Sequence, residues 1–142
     1  MSTKLHQVKA LLQGIREDDS RYDTLRTLLE QQRLCMIRRA SDELLAVNEA
    51  IHQHYAALHD SSRQRHTLLQ RLEVSVNRAG LEQVFSWLPA PQRHAAQAWW
   101  LRLEKKAERC KSYNEKNGDL LIRQYEFIQT FLGTGPDFIY RP

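Results

Sequence analysis

Six histidines are the first residues of this sequence whose type invites chemistry. His52, His59 and His66 recur every seven residues and so line one stripe of a helix. Each step is about 10 Å, too long for one ion, which needs ligands one turn apart. Glu49-x-x-His52 matches half of a di-iron bundle motif, but that site needs a second Glu-x-x-His and two further inward carboxylates. No second copy is present. Asp18 and Asp19 are adjacent, and adjacent helical residues do not share a face, so they are expected to form a solvated polar layer rather than a metal site. Cys35 and Cys110 belong to no Cys-x-x-Cys pattern, and Cys110 near Tyr113 reads as a small core residue. No Gly-x-Ser-x-Gly occurs on a strand-turn-helix pattern, and the few glycines form no phosphate-cradling loop. The expectation is a protein with no catalytic, metal or cofactor residues, and not an enzyme.

A different kind of signal lies between Pro91 and Gly133. Apolar positions run Trp99, Leu103, Cys110, Leu121, Ile128 and Phe131, at steps compatible with one helical face. Asn114 and Asn117 fall on or beside that seam, and Gly118 follows directly. Asn costs a few tenths of a kcal/mol in a helix and Gly about 1 kcal/mol relative to Ala, so this break needs a reason. One reading is a buried polar layer that sets helix register. The other is a surface where amides and a missing side chain let a partner helix approach, continued by Leu121, Ile128, Phe131 and Leu132. Periodicity alone leaves both open.

The elements that must position these residues are long helices. Glycine and proline are few and, apart from Gly14 and Gly118, lie at Gly80, Pro89, Pro91 and in the last ten residues. A first helix is expected over 3–39, with Leu5, Val8, Leu12, Ile15, Tyr22, Leu25, Leu29 and Met36 in steps of three and four. A second is expected over 42–78, capped by Ser41 with Asp42 and Glu43 in its first turn and stopped by Gly80. Its seam turns polar between Leu58 and Leu68. Residues 81–88 read as a short connecting helix ended by Pro89-Ala90-Pro91, and a last long helix is expected over 92–132. Trp87, Trp99 and Trp100 gather at one end, and the two consecutive ones cannot share a seam. The fold class is therefore all-α: an elongated antiparallel bundle or coiled coil of three long helices, with a short connecting helix before the last. The bundle domain covers 1–133, and 134–142 is a tail carrying Phe138, Ile139 and Tyr140, which either docks on its own bundle or waits for a partner.

At 142 residues the chain has the length of one domain. Its net charge of +4 permits nucleic-acid binding, yet bases alternate with acids, as in Glu104-Lys105-Lys106-Ala107-Glu108-Arg109, and no acid-free basic face tracks a phosphate backbone. A structural or nucleic-acid-binding coiled coil stands as the alternative function. No signal segment opens the chain and no run of about 18 apolar residues occurs, so a reducing cytoplasm is expected.

The sequence resembles the FlgN family of flagellar export chaperones. The likeness rests on Leu28-Leu29-Glu30-Gln31-Gln32-Arg33, on Arg65-His66-Thr67-Leu68-Leu69, and above all on Cys110-x3-Asn114-x2-Asn117-Gly118-x-Leu120-Leu121-x2-Gln124. The resemblance implies a cytoplasmic chaperone that binds hook-associated proteins, keeps them from aggregating and delivers them to the flagellar type III export apparatus. It places the client surface on Asn114, Asn117, Gly118, Leu121, Gln124 and Ile128. Phe138, Ile139 and Tyr140 are a second expected contact, to the export gate. No nucleic acid, cofactor or stable membrane insertion is implied, and the protein would act as a monomer or homodimer.

Overall fold

The computed structural model describes residues 2–132. They form four helices and, among the described residues, no strand: α1 (Ser2–Arg38), α2 (Ser41–Arg71), α3 (Arg78–Ser86) and α4 (Ala90–Leu132). This is the expected all-α bundle of three long helices with a short one before the last. α1 is central, packing along both α2 and α4. α2 returns antiparallel to α1, with Gln32 bonded to Asn48 near the turn and Asp18 to Arg65 further along. α3 then redirects the chain, so that α4 runs parallel to α1. The tail residues Phe138, Ile139 and Tyr140 lie outside the described residues.

Two helix ends share one device. After α1, Ala40 N–H bonds to the Cys35 carbonyl and Arg39 N–H to that of Met36, with Arg39 at φ 57°. After α2, Val74 N–H bonds to Leu69 and Glu73 N–H to Gln70, with Glu73 at φ 58°. Both are Schellman motifs, which use a left-handed residue to satisfy the last carbonyls of a helix. Neither uses glycine. That is why α2 ends at Arg71 and not near residue 78: the expected stop at Gly80 is wrong. Gly80 instead lies buried within the first turn of α3, where its N–H is capped by Asn77 Oδ1 at 3.0 Å. A Cβ there would collide with the main chain of Ser75, so glycine serves the close approach of the α2–α3 loop. Ser41 is likewise not a cap. The N-cap position is Ala40, which makes no side-chain cap bond.

Burial divides the bundle into layers. One apolar cluster joins Leu11, Ile15, Leu69, Leu81, Phe85 and Leu103, with α3 covering that end. A second joins Leu25, Leu29, Ile51, Leu58 and Cys110. Between them sit Asp18 and Asp19, both buried. The expected solvated layer is thus a pair of shielded ion pairs, Arg65 on α2 to Asp18 at 3.0 Å and Lys106 on α4 to Asp19 at 3.1 Å, with the exposed Asp23 meeting Lys106 from the rim at 2.9 Å. One aspartate faces each neighbour, as adjacent positions on a central helix must. The polar stretch of α2 after Leu58 has its counterpart here, with Ser61 beside Gly14 and Arg65 beside Asp18.

Candidate interaction surface

Cys110, Asn117 and Gln124 occur at seven-residue spacing on α4, and each addresses a main-chain carbonyl of α1. Cys110 Sγ lies 3.6 Å from the Tyr22 carbonyl, Asn117 Nδ2 donates to Leu29 at 2.8 Å, and Gln124 Nε2 donates to Met36 at 3.0 Å. Every pair is separated by 88 positions, the signature of two parallel helices in a 3.5-residue register. Asn117 also donates to Gln32 Oε1 at 2.9 Å, and Arg33 donates to its Oδ1 at 3.5 Å. Gln124 reaches the Met36 carbonyl that also accepts from Arg39 in the Schellman turn, so it fastens α4 to the last turn of α1.

Two of the six expected client-binding residues are therefore placed elsewhere in the described structure. Asn117, 2% exposed, and the half-buried Gln124 belong to the α1–α4 seam. The buried row runs Ala96, Leu103, Cys110, Asn117, Gln124, and continues as amides where the apolar pattern suggested Leu121 and Ile128. Those two lie on the adjoining flank, in the heptad row Trp100, Ala107, Asn114, Leu121, Ile128. The row begins against α2, with the Arg65 guanidinium 5.2 Å from the Trp100 ring. It then emerges: Trp100 and Ala107 are half-buried and Asn114 is exposed, while Leu121 is 54% and Ile128 40% exposed. Tyr125, at 61%, lies one turn beyond Leu121, and Leu45 of α2, at 70%, stands at the same end. Gly118 is exposed on this flank, and a Cβ there would meet nothing within 4 Å. Asn114, Gly118, Leu121 and Ile128 are thus brought together, with Tyr125 an addition that spacing alone did not single out.

By the constant offset, Arg38 at the end of α1 is level with Glu126. The last turn and a half of α4 extends past its neighbours. Among the described residues, the second apolar cluster ends on α4 at Cys110, with Tyr113 packed against it.

The model of the family described as FlgN protein matches residues 1–134. The chain belongs to the FlgN family. Its members are flagellar export chaperones, a family of chaperones and not of enzymes. Neither a curated protein nor a solved structure matches the chain. Among the described residues no helix is long and apolar enough to cross a membrane.

His52, His59 and His66 are all exposed on the outer side of α2, and among the described residues no three His, Cys, Asp or Glu side chains converge. Cys35 and Cys110 are free and buried, and burial pushes the Cys110 thiol up from its ordinary range. Burial, helped by Asp18, likewise raises the Tyr22 phenol. Trp99 and Trp100 are both half-buried, the first flanked by Arg16 and Arg102, the second under Arg65. Burial works against the charge of Lys106, but hydrogen bonds to Asp23 and Asp19 override it and hold its pKa up.

Proposed function

We propose that this protein is a cytoplasmic, substrate-specific export chaperone that binds hook-associated proteins of the hook–filament junction, prevents their aggregation and delivers them to the flagellar type III export apparatus. The observation that carries this reading is the uncovered flank of α4, in which Leu121, Tyr125 and Ile128 stand exposed beside Asn114 and Gly118 on a helix already fixed to α1. A side chain held open on a registered helix is a preformed groove edge, suited to the apolar stripe of a client helix. Leu, Ile and Tyr supply area, Gly118 supplies clearance, and Asn114 supplies a polar rim. Asn117 and Gln124 position this surface without contacting the client.

No nucleotide is needed for such work. A chaperone that covers an aggregation-prone helix acts by mass action, lowering the free concentration of the exposed segment. A client segment that orders on binding loses conformational entropy, which keeps affinity modest and release easy.

The test is calorimetric titration of a purified hook-associated subunit into the full chain, and into Leu121→Asp and Ile128→Asp. Fully burying such a side chain stabilises by about 1.5–3 kcal/mol, so each variant is expected to bind at least about tenfold more weakly while circular dichroism stays helical. Unchanged affinity in both variants would move the client surface elsewhere. Nucleic acid bound with a steep salt dependence, and no client bound, would replace the reading by the coiled-coil alternative.

A further inference from the structure

Charge is distributed unevenly along the bundle. Residues 2–16 and 61–103, which form the end covered by α3, hold nine lysines and arginines against two acids, Glu73 and Glu82. Residues 17–60 and 104–132, which form the other end, hold eleven against fourteen. The modest net charge of the chain is therefore the sum of a basic end and a mildly acidic one.

Three shallow recesses adjoin one another on α1 at the basic end. One, of about 520 Å³, is lined by His6, Lys9, Ala10, Leu12, Gln13 and Arg16. It shares Ala10 with a recess of about 480 Å³ that Asp60, Arg63 and Arg71 border on α2. It shares Gln13 and Arg16 with another of about 470 Å³, which reaches Glu17, Arg21 and His54. Lys9, Arg16, Arg63 and Arg71 are all exposed. The ion pairs among the described residues are made by Arg26, Arg65, Arg78 and Lys106, so these four cations have no carboxylate partner there. We propose that this trough docks an acidic helical segment of a protein partner, at a site separate from the client surface of α4. That both surfaces are filled together rests on the proposed function; the docking itself does not.

Shape and charge pattern select the partner. A helix is about 10–12 Å across and packs into the groove beside two others, whereas a lipid surface is flat and would meet only the rim of a trough. Lys9 and Arg16 are about two turns apart on α1, and so are Arg63 and Arg71 on α2. Carboxylates at two-turn spacing on one added helix therefore match both rows. Glu17 and Asp60 stand in the same trough and repel a uniformly anionic polymer such as nucleic acid. A peptide helix can set neutral or basic side chains opposite them. Ala10, Leu12 and Leu68 add apolar lining. From His6 to Arg21 the trough runs roughly 22 Å along α1, about four turns of the docked helix.

The two surfaces are well separated. By the constant offset of 88 between α4 and α1, Leu121 is level with Arg33. The middle of the trough, at Gln13, is about twenty residues away, on the order of 30 Å. The chaperone is thus held at its basic end while α4 keeps the client. Its docking contacts are exposed ion pairs and weaken as salt rises.

The experiment uses the full chain at physiological ionic strength, and as probe an alanine-based helical peptide with glutamates along one face. Two full-length variants are compared: Lys9→Gln/Arg63→Gln/Arg71→Gln in the trough, and Lys105→Gln/Lys111→Gln/Lys116→Gln on α4, which removes the same charge from the other end. Both change exposed side chains and should stay helical by circular dichroism. The trough variant is expected to bind the peptide about tenfold more weakly, and the α4 variant to bind it within about twofold of the parent. Equal losses in both would overturn the proposal, because net charge alone would then explain the binding. So would no binding of the peptide to the parent, or tighter binding of a DNA duplex or of phosphatidylglycerol vesicles than of the peptide. In the second arm the peptide is titrated into the chain with a hook-associated client segment already bound. Unchanged affinity supports separate sites, and displacement of the client overturns them. A client segment that does not bind the parent refutes the proposed function and leaves the docking to be decided by the first arm.

Discussion

The side-chain amide of Asn117 donates to the main-chain carbonyl of Leu29 across 2.8 Å, in the middle of a buried seam between α4 and α1. Cys110 and Gln124 repeat the relationship one heptad either side. Apolar side chains would pack such a seam in any of several registers, because each offers the same surface. A donor aimed at one carbonyl accepts a single register. The amides therefore fix where Leu121, Tyr125 and Ile128 emerge.

Asn117→Ala is expected to cost about 1–3 kcal/mol of stability, from three lost hydrogen bonds and a small void. Asn117→Asp should cost more, about 3–5 kcal/mol, because it buries a charge facing the Leu29 carbonyl and Gln32 Oε1. Chemical denaturation midpoints check both. If Asn117→Asp were as stable as the parent, Asn117 would not be a seam residue.

Asp18 and Arg65 should behave as a unit. Asp18→Ala leaves a largely shielded guanidinium without its partner and is expected to cost about 3 kcal/mol. The double change Asp18→Leu/Arg65→Met should recover most of that loss. A double variant no more stable than the single one would mean that Arg65 is held by Trp100 and not by the carboxylate.

The loop between α2 and α3 gives two changes of opposite sign. Glu73 occupies the left-handed region at φ 58°, where a Cβ is strained, so Glu73→Gly should raise stability by about 0.5–1 kcal/mol. Gly80→Ala drives a methyl into the Ser75 main chain and should cost about 1–3 kcal/mol or more. Thermal melts of both variants test this, and stabilisation by alanine at residue 80 would contradict the placement of Ser75.

Burial, and then the Arg21 charge, holds the His54 imidazole below its ordinary value of 6.5. As pH falls through that value the unfolded chain takes up the proton first, so it binds more protons and stability declines. Denaturation midpoints should fall modestly from pH 7.5 to pH 5.5, and His54→Gln should flatten that part of the profile. An identical pH dependence in the variant would show that other groups are responsible.

The helices were legible because long stretches carry heptad-spaced apolar residues and neither glycine nor proline. The end of α2 was not, since Glu73 makes a turn usually made by glycine while Leu72 and Val76 continue the apolar pattern. Asp18 and Asp19 read as solvated because their partners Arg65 and Lys106 are distant in the chain, and only tertiary packing reveals that the pairs are shielded. The surface was half legible. Asn114, Gly118, Leu121 and Ile128 share a flank, but the apolar pattern shifts sideways after Cys110 and leaves the buried row to Asn117 and Gln124. The seven-residue series Ala96, Leu103, Cys110, Asn117, Gln124 was a signal that could have separated the two rows.

The uncovered flank of α4 is expected to receive the client. The most direct measurement is amide hydrogen exchange on the full chain with and without a purified hook-associated subunit. Added protection is expected across residues 114–130, with little change on the His52–His59–His66 side of α2. Protection confined to that outer side of α2, or to the end covered by α3, would contradict it.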